Sequence, residues 1–218
     1  MDEPEPPETS KLTRSKQRWA SEGKFLTGHA ARPEEDRLPP GQHLVRDWPV
    51  LDLGRQPDIA RERWRLEVNG RVERPASLDW AGLMALPQSR VTSDIHCVTT
   101  WSRYDNDWQG VLTRDLLDHV HPRDEAVAVM LHGYDGYTTN VPLADFAAPN
   151  AMLVHGWQGQ PLAREHGGPV RLVIPHLYFW KSAKWVSGIE FLGADKPGFW
   201  EVNGYHMRGD PWAEERYS

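Results

Sequence analysis

The sequence predicts an α+β domain in which a mixed β-sheet is accompanied by short helices. Short runs of alternating or uninterrupted apolar residues, typical of strands, recur between Trp64 and Phe191. The helical segments among these runs are short and end at prolines. Strands and helices do not alternate regularly, which argues against a parallel sheet built from βαβ units. With 218 residues, the chain can bury one sizeable core.

The predicted elements begin with a strand over 64–68, where apolar residues alternate, and Asn69-Gly70 after it is the turn signal of a β-hairpin. Ser77 is a suitable cap for a short helix that ends before Pro87. The next elements predicted are a strand over 91–97, a helix over 113–120, a buried strand over 126–132, a turn at Asp135-Gly136, a helical turn over 143–147, and strands over 152–155, 170–174 and 184–191.

The two ends of the chain differ from its middle. Residues 1–40 carry charges of both signs, several prolines and few apolar residues, so we expect an extended arm without its own core. Residues 41–218 are expected to form the folded domain. The tail after Gly193 is rich in aromatic residues, and we expect it to pack on that domain.

The composition argues against several functions. Lys and Arg total 25 and Asp and Glu total 31, a net charge of −6 that disfavours general nucleic-acid binding. No apolar run is long enough to form a helix that spans a membrane. The acidic, proline-rich amino terminus lacks the basic and apolar regions of a signal peptide, so a cytoplasmic protein is expected.

Common catalytic signatures are missing, because the sequence contains no GxGxxG, P-loop, GxSxG or HExxH motif. The single cysteine, Cys97, excludes an internal disulfide, a CxxC zinc site, a cysteine-held iron–sulfur cluster and a CxxCH haem site. His119 and His121 do not share a helix face, which argues against a metal site there. Cys97 itself is open to interpretation as a buried small residue, a nucleophile or a thiolate ligand to a metal.

A basic window interrupts the acidic chain. The segment from His166 to Ile189 contains Arg171, Lys181 and Lys184 but no Asp or Glu. One interpretation is a pair of strands whose basic residues face solvent. The alternative is an anion site, in which Gly167-Gly168 allows a close approach of the backbone and the cations converge on a phosphate.

Several short motifs follow one another along the chain: Val45-Arg46, IHCVTTWSR, WQGV, DGYTT, GQPLAREHGGPVRLVIP and KSAKWV. Their order resembles the molybdopterin-binding domain of the sulfite oxidase family over about Gly41 to Leu192. The single Cys and the HGxPxR…VxxP…KWV run are the most specific parts. The resemblance extends to the stand-alone bacterial sulfite oxidase-like oxidoreductases, in which the NGYH and GDPW tail recurs. It implies a sulfite oxidase-type molybdopterin-binding fold.

The resemblance implies a molybdenum–molybdopterin cofactor and a role for each matching position. Cys97 would be the protein thiolate on molybdenum. The residues implied to bind the pterin and its phosphate, or to lie beside them, are His166, Arg171, Lys181, Ser182, Lys184 and Asp135. Arg46 and Arg103 are candidates for binding an oxyanion substrate, and Trp101 and Trp108 would form the walls of its pocket.

The implied reaction is oxygen-atom transfer at a molybdenum-oxo centre, with sulfite-like substrates or S- or N-oxides. Two departures from sulfite oxidases lie where the substrate would bind. Val98–Arg103 replaces a segment with Gly, Asn and two Arg, and Trp48 stands in place of a His. The family pattern therefore does not fix sulfite as the substrate.

The chain lacks the haem-binding and dimerisation domains of the larger enzymes of this family. We therefore expect a monomer, and electrons exchanged with a separate carrier, a cytochrome or a flavoprotein. Two alternatives remain at this point. One is a non-catalytic molybdopterin-binding or carrier protein, and the other is a redox-sensing protein that uses Cys97 as a free thiol.

Overall fold

The structure is a computed structural model that describes residues 37–218, so the arm predicted at residues 1–40 lies almost wholly outside the described residues. Strands dominate and the helices are short, which confirms the α+β class. In chain order the elements are β1 (His43–Leu44), β2 (Arg65–Gly70), β3 (Ala76–Asp79), α1 (Trp80–Ala85), β4 (Ser89–His96), β5 (Trp101–Leu112), α2 (Thr113–Val120), β6 (Ala128–Gly133), β7 (Thr138–Pro142), α3 (Leu143–Phe146), β8 (Met152–Trp157), β9 (Gln160–Pro161), β10 (Arg171–Val173), β11 (Val186–Leu192) and α4 (Phe199–Val202), with 3₁₀ turns at Arg164–His166 and Phe179–Lys181.

The first sheet has six strands and is organised around β5. The order β1-β5-β8-β10 forms its main path, while β4 pairs with β5 and β9 pairs with β8. The antiparallel β4 and β5 form a hairpin whose register places His96 opposite Ser102. Cys97 follows directly after β4, so it lies in the turn of this hairpin.

The second sheet has five strands in the order β3-β2-β11-β6-β7. It is mixed, because β11 runs parallel to β2 and antiparallel to β6. The segment between β10 and β11 leads from the first sheet to the second. The basic window identified in the sequence therefore spans β10, this connection and the start of β11.

The main hydrophobic core lies between the sheets. Val111 and Leu153 of the first sheet and Leu66 and Ile189 of the second are all buried in it. Burial of such apolar side chains is the principal favourable term in folding. A second cluster of buried aromatic and apolar residues surrounds Cys97.

The sequence pattern did not predict strands β5 and β7. In β5, charged residues such as Arg103, Asp105 and Asp107 alternate with buried ones such as Asn106 and Trp108. The charged side chains occupy the more exposed face, so the strand has the period of two but not the apolar composition that identifies a strand in sequence.

The antiparallel β2 and β3 form a hairpin, but the turn predicted at Asn69-Gly70 is wrong: these residues end β2, and the connection runs over residues 71–75. Gly70 instead allows β2 and β11 to approach closely. Its φ is +85°, and a Cβ atom there would lie 2.3 Å from the carbonyl oxygen of Phe191.

The helix cap predicted at Ser77 is also wrong, since Ser77 lies within β3. The cap is Asp79, whose Oδ1 accepts a 2.8 Å hydrogen bond from the Gly82 N–H. This is the ordinary role of an Asp that precedes the first helical residue.

The carboxy-terminal tail folds back onto the domain. The Tyr178 N–H donates to the Gly209 carbonyl over 2.7 Å, and Tyr205 forms a β-bridge with Tyr217. Trp200 and Tyr205 pack against the cluster that surrounds Cys97. Among residues 37–218, no helix is long and apolar enough to cross a membrane.

Candidate active site

A cavity of about 280 Å³ opens at the junction of the two sheets and the tail. It combines one thiol and two cationic side chains with a largely aromatic wall. The residues that line it are Trp48, Pro49, Leu51, Asp52, Leu53, Cys97, Val98, Thr99, Trp101, Asp135, Tyr137, Arg171, Phe179, Trp180, Ser182, Ala183, Lys184, Trp185, Trp200 and Tyr205.

Cys97 is fixed in the cavity wall by the turn between β4 and β5. Its N–H donates to the Trp101 carbonyl over 2.8 Å, and the Thr100 N–H donates to the Cys97 carbonyl over 3.0 Å. Thr100 adopts a φ of +77°, which the tight turn requires. The Cys97 sulfur lies 3.1 Å from the Thr99 hydroxyl oxygen, and burial raises the pKa of the thiol.

Arg171 brings a wholly buried guanidinium to the cavity. Its three hydrogen bonds all go to backbone carbonyls: those of His166 at 2.8 Å, Ser182 at 2.7 Å and Leu172 at 3.2 Å. Within the described part of the chain it forms no ion pair, and burial lowers its pKa to about 9. A buried cation that only carbonyls neutralise is a strong site for an anionic ligand.

Lys184 is the second cation of the cavity. Its ammonium donates a 2.7 Å hydrogen bond to the Glu165 carbonyl. Burial, and then repulsion by Arg171, lower its pKa to about 8. Asp135 also lines the cavity, where burial raises the pKa of its carboxyl group while its Oδ1 accepts a 3.1 Å hydrogen bond from the Tyr137 N–H.

Ser182 and the glycine pair organise this end of the cavity. The Ser182 hydroxyl accepts a 3.0 Å hydrogen bond from the Ile174 N–H, so it fixes the connection between the sheets. Gly167 has a φ of +103°, and a Cβ there would lie 2.9 Å from the Cβ of Lys184. Gly167 and Gly168 do not line the cavity. Because Gly167 has no side chain, Lys184 can pack closely against it, and this packing helps to hold Lys184 in place.

His166 does not line the cavity but lies directly behind its wall. Its ring stacks on Trp48 with centroids 3.8 Å apart. Burial, followed by the charge of Arg171, lowers its pKa to about 4, so the imidazole is neutral near pH 7. Its Nδ1 atom is buried without a hydrogen-bond partner.

Lys181 lies in the same motif but outside the cavity lining. Its ammonium is fully buried and pairs with Glu201 at 2.6 Å. It also donates to the Asn140 side-chain oxygen at 2.8 Å, and to the carbonyls of Asn140 at 3.0 Å and Met207 at 2.6 Å. All its hydrogen-bonding capacity is used inside the protein, so the structure gives Lys181 the role of joining the tail to β7.

Of the residues that the resemblance implies for the substrate pocket, only some line the cavity. Trp101 lines the cavity, but Trp108 lies behind Trp48, with the ring centroids 5.4 Å apart. Arg46 is exposed and is not among the lining residues. Arg103 also lies outside, where it donates to the Arg46 carbonyl over 3.1 Å and covers the ring of Trp157 at 4.9 Å.

Tyr205 is a cavity residue to which the sequence assigned no role in the site. It stacks on Trp200 with ring centroids 4.9 Å apart and meets the edge of Trp180 at 5.0 Å. Its hydroxyl is close enough for Cys97 to affect its pKa, which burial raises. The aromatic character of the tail is the signal in the sequence that points to this residue.

The donor set fits a molybdenum–pterin group. Thiolate sulfur is a soft ligand of the kind that favours transition metals. Arg171 and Lys184 offer charge for a phosphate, since no carboxylate from residues 37–218 pairs with Arg171. Residues 37–218 contain no group of three or more His, Cys, Asp or Glu side chains placed to hold a metal ion.

Comparisons with known proteins show the family of this chain. The family model described as "Oxidoreductase molybdopterin binding domain" matches residues 53–200. The chain is 47% identical over 186 residues to the uncharacterised oxidoreductase YuiH of Bacillus subtilis strain 168, which covers 85% of this chain and 94% of that protein.

Other relatives are longer than this chain. It is 26% identical to the catalytic subunit MsrP, a protein-methionine-sulfoxide reductase of Campylobacter jejuni, over 64% of this chain and 52% of that protein. The structure resembles the sulfane dehydrogenase SoxCD of Paracoccus pantotrophus with a TM-score of 0.59, at 21% identity, over 64% of this chain and 40% of that chain. The likeness to SoxCD, at 21% identity, shows the fold alone.

Together, the match over residues 53–200 and the identity to YuiH establish the family and, with it, a molybdenum–molybdopterin cofactor. The chain belongs to the molybdopterin-binding oxidoreductases of the sulfite oxidase family and is an enzyme of that family.

Proposed function

We propose that this chain reduces neutral S- or N-oxides, taking an oxygen atom from the substrate with electrons from a separate carrier. The observation that supports this substrate class is the apolar part of the cavity wall next to Cys97. Val98, Trp101 and Trp180 belong to the same buried cluster as Cys97, and Tyr205 packs against that cluster. Such a wall favours a substrate with an apolar body and one polar oxygen.

The position of the cations argues against sulfite. An oxyanion needs fixed cationic donors, and the cations in the cavity lining are Arg171 and Lys184. Both belong to the motif that the family resemblance assigns to the pterin phosphate. Arg46 and Arg103 lie outside the lining, so among the described residues the lining offers an anionic substrate no cation beyond the two assigned to the pterin phosphate, whereas a neutral oxide needs none.

Different residues of the chain would bind different parts of the cofactor. Cys97 would supply the thiolate ligand to molybdenum, while Arg171 and Lys184 would hold the phosphate of the pterin. When bound, the cofactor supplies two-electron oxygen-atom transfer. The aromatic wall would exclude water and hold the body of the substrate.

Tyr205 is the proposed proton-handling group. Its hydroxyl has no hydrogen bond to another described residue and belongs to the cavity lining, so it is free to donate to the oxide oxygen. Reduction of an oxide consumes two electrons and two protons and yields the deoxygenated product and water. Tyr205 would transfer one of these protons and be reprotonated from solvent.

We propose that the electrons come from a cytochrome or a flavoprotein and that the enzyme acts as a monomer in the cytoplasm. The free-thiol alternative is less well supported, because Cys97 is buried and burial raises the pKa of its thiol. A reactive sensor thiol needs the opposite environment. The carrier alternative is distinguished by the experiment below.

The test uses protein that contains about one molybdenum per chain. The reduced enzyme is mixed with a neutral sulfoxide, a neutral N-oxide or no substrate, with a reduced viologen dye as electron donor. Oxidation of the dye that requires a neutral oxide supports the proposal. Sulfite-dependent reduction of ferricyanide without oxide turnover would overturn the proposed substrate class and direction, and no turnover in either assay would favour the carrier alternative.

A further inference from the structure

A guanidinium from the far end of the chain holds the turn that contains Cys97. Arg216 Nη1 donates a 2.6 Å hydrogen bond to the Val98 carbonyl, and Nη2 donates to the Pro40 carbonyl over 3.3 Å. The guanidinium also covers the ring of Tyr178 at 5.0 Å. Among residues 37–218 it forms no ion pair; two acidic residues of the same tail, Asp210 and Glu215, pair with Arg208 and His206 instead.

The neighbouring carbonyl of the turn is held by a second side chain. Gln42 Nε2 donates to the Cys97 carbonyl over 3.0 Å, and the Ser102 hydroxyl donates to Gln42 Oε1 over 3.4 Å. Gln42 thus fixes the peptide group that follows the Cys97 Cα, and Arg216 fixes the next peptide group along the turn, that of Val98 and Thr99. The Cys97 N–H and carbonyl are both bonded within this turn, so a shift of the turn would move the sulfur, which follows the backbone at its own Cα.

Arg216 is itself firmly placed. Its carbonyl accepts a 3.2 Å hydrogen bond from the His206 N–H, and the Ser218 N–H donates to the Gly204 carbonyl over 3.0 Å. The rings of Tyr205 and Tyr217 meet edge to face at 5.3 Å. The segment that contains Arg216 is therefore paired with the segment that places Tyr205 in the cavity wall.

Gln42 and Arg216 both lie outside the matched residues 53–200. The two side chains that hold the turn therefore lie beyond the residues that the family model covers.

We propose that Arg216 is a positioning residue, which, through its hydrogen bond to the Val98 carbonyl, fixes the turn that presents the Cys97 sulfur to the metal. The inference rests on the proposed role of Cys97 as the metal ligand. It does not depend on which oxide is reduced or on the direction of the reaction.

The test compares Arg216→Gln and Arg216→Lys with Arg208→Gln, all in the full-length, molybdenum-loaded protein. Arg208 is the matched control, because it is an arginine of the same tail whose guanidinium bonds to Asp145, at 3.0 Å and 3.2 Å. Two quantities are measured: amide hydrogen exchange at the turn over 97–101, and the electron paramagnetic resonance spectrum of the half-reduced Mo(V) state.

We expect Arg216→Gln to speed exchange at the turn by about tenfold or more, the factor that loss of one charged hydrogen bond produces. The Mo(V) spectrum should change with it, because the spectrum reports the geometry and charge of the sulfur ligand. Arg216→Lys should restore part of both effects, since a lysine keeps the charge and can still donate to one carbonyl. Arg208→Gln should leave both quantities as in the wild type.

Wild-type exchange in Arg216→Gln would overturn the proposal, and so would faster exchange with an unchanged Mo(V) spectrum, which would make Arg216 merely structural. An equal effect of Arg208→Gln would show general loosening of the tail and would also overturn it. Neither measurement requires turnover, so the absence of oxide reduction would contradict the proposed function without affecting this test.

Discussion

The indole of Trp48 lies parallel to the imidazole of His166, with ring centroids 3.8 Å apart and an angle of 4° between their planes. Trp48 lines the cavity, while His166 lies behind it and carries no hydrogen bond at Nδ1. Arg171 lies over the same indole at 5.4 Å. A protonated imidazole here would face a neighbouring guanidinium, so the stack requires the neutral ring.

This stack predicts a loss of stability in mild acid. The pKa of His166 is about 4 in the folded protein, below its ordinary value of 6.5, so the contribution of this group to stability is complete above pH 6.5. It is lost as the pH falls toward 4, because the unfolded state takes up the proton first. Unfolding by denaturant at a series of pH values measures the effect.

The control for that series is His166→Phe, which keeps a flat ring against Trp48 but cannot be protonated. As the pH falls from 6.5 to 4, the unfolding free energy of the wild type should decrease relative to that of this variant. A difference that does not change with pH would show that His166 is not held neutral.

Cys97→Ser should remove turnover while the protein keeps its fold. A hydroxyl is a poor replacement for a thiolate on a soft metal, so we expect turnover to fall at least about a hundredfold. Thr99→Val is the matched variant, because Thr99 contacts the sulfur at 3.1 Å but is not a proposed ligand. Molybdenum content, melting temperature and oxide reduction are measured on both; turnover of Cys97→Ser at more than a few per cent of wild type would contradict the ligand assignment.

Arg171→Met should weaken binding of the cofactor and destabilise the protein as well. Loss of a charged hydrogen bond costs about 1.5–3 kcal/mol, which corresponds to roughly 10–100-fold in affinity for the pterin phosphate. The same substitution leaves the carbonyls of His166 and Ser182 without their donor. Denaturant unfolding of cofactor-free protein separates the second effect from the first.

Lys184→Met is the comparison for Arg171→Met, since the Lys184 ammonium bonds to one described carbonyl, that of Glu165. It should lower the pterin content with a smaller loss of stability than Arg171→Met. A full pterin content in both variants, measured by fluorescence after oxidation, would mean that these cations serve only the fold.

The residues that line the cavity show which part of the site could be predicted from the sequence. Cys97, Arg171, Ser182 and Lys184 lie in short local motifs, and the structure brings all of them to one cavity. Lys181 belongs to the same motif but faces Glu201, a residue of the tail. The charge of a side chain is visible in sequence, whereas the direction in which it points depends on a partner far along the chain.

Tyr205 and β5 illustrate the two limits on prediction. Tyr205 reaches the cavity because the tail folds back. The aromatic residues of the tail predict that it packs on the domain, but no local pattern shows which of them enters the cavity. Strand β5 was missed because its exposed face is charged at Arg103, Asp105 and Asp107. In both cases tertiary contacts, rather than local composition, determine the structure.

The Lys181–Glu201 pair predicts a clear stability effect at a distance from the chemistry. Both side chains are fully buried and their charged atoms are 2.6 Å apart. Lys181→Met should cost about 3–5 kcal/mol of unfolding free energy, because Glu201 is left as an unpaired buried charge. Adding Glu201→Gln should recover much of that loss, since the amide oxygen can still accept from Trp180 Nε1, which now donates to Glu201 Oε1 over 2.8 Å.

The pterin content of the double variant decides the role of Lys181. If Lys181 acts only within the fold, the double variant should bind the cofactor as well as the wild type once its stability is restored. Loss of pterin from a well-folded double variant would instead return Lys181 to the cofactor site.

The two cations of the cavity predict how anion binding depends on pH. The pKa of Lys184 is about 8, below its ordinary 10.5, because burial and Arg171 disfavour its charged form. Sulfate is a suitable probe for cofactor-free protein, since its own charge is constant in this range. The affinity for sulfate should therefore fall about tenfold between pH 7 and pH 9, as Lys184 loses its proton.

Lys184→Arg is the control for this titration, because a guanidinium at that position stays charged. Its sulfate affinity should change less over the same range, and the remaining change should come from Arg171, whose pKa is about 9. Calorimetric titration at several pH values measures both proteins. A wild-type affinity that does not change between pH 7 and pH 9 would show that Lys184 takes no part in binding the anion, and the phosphate contact would then rest on Arg171 alone.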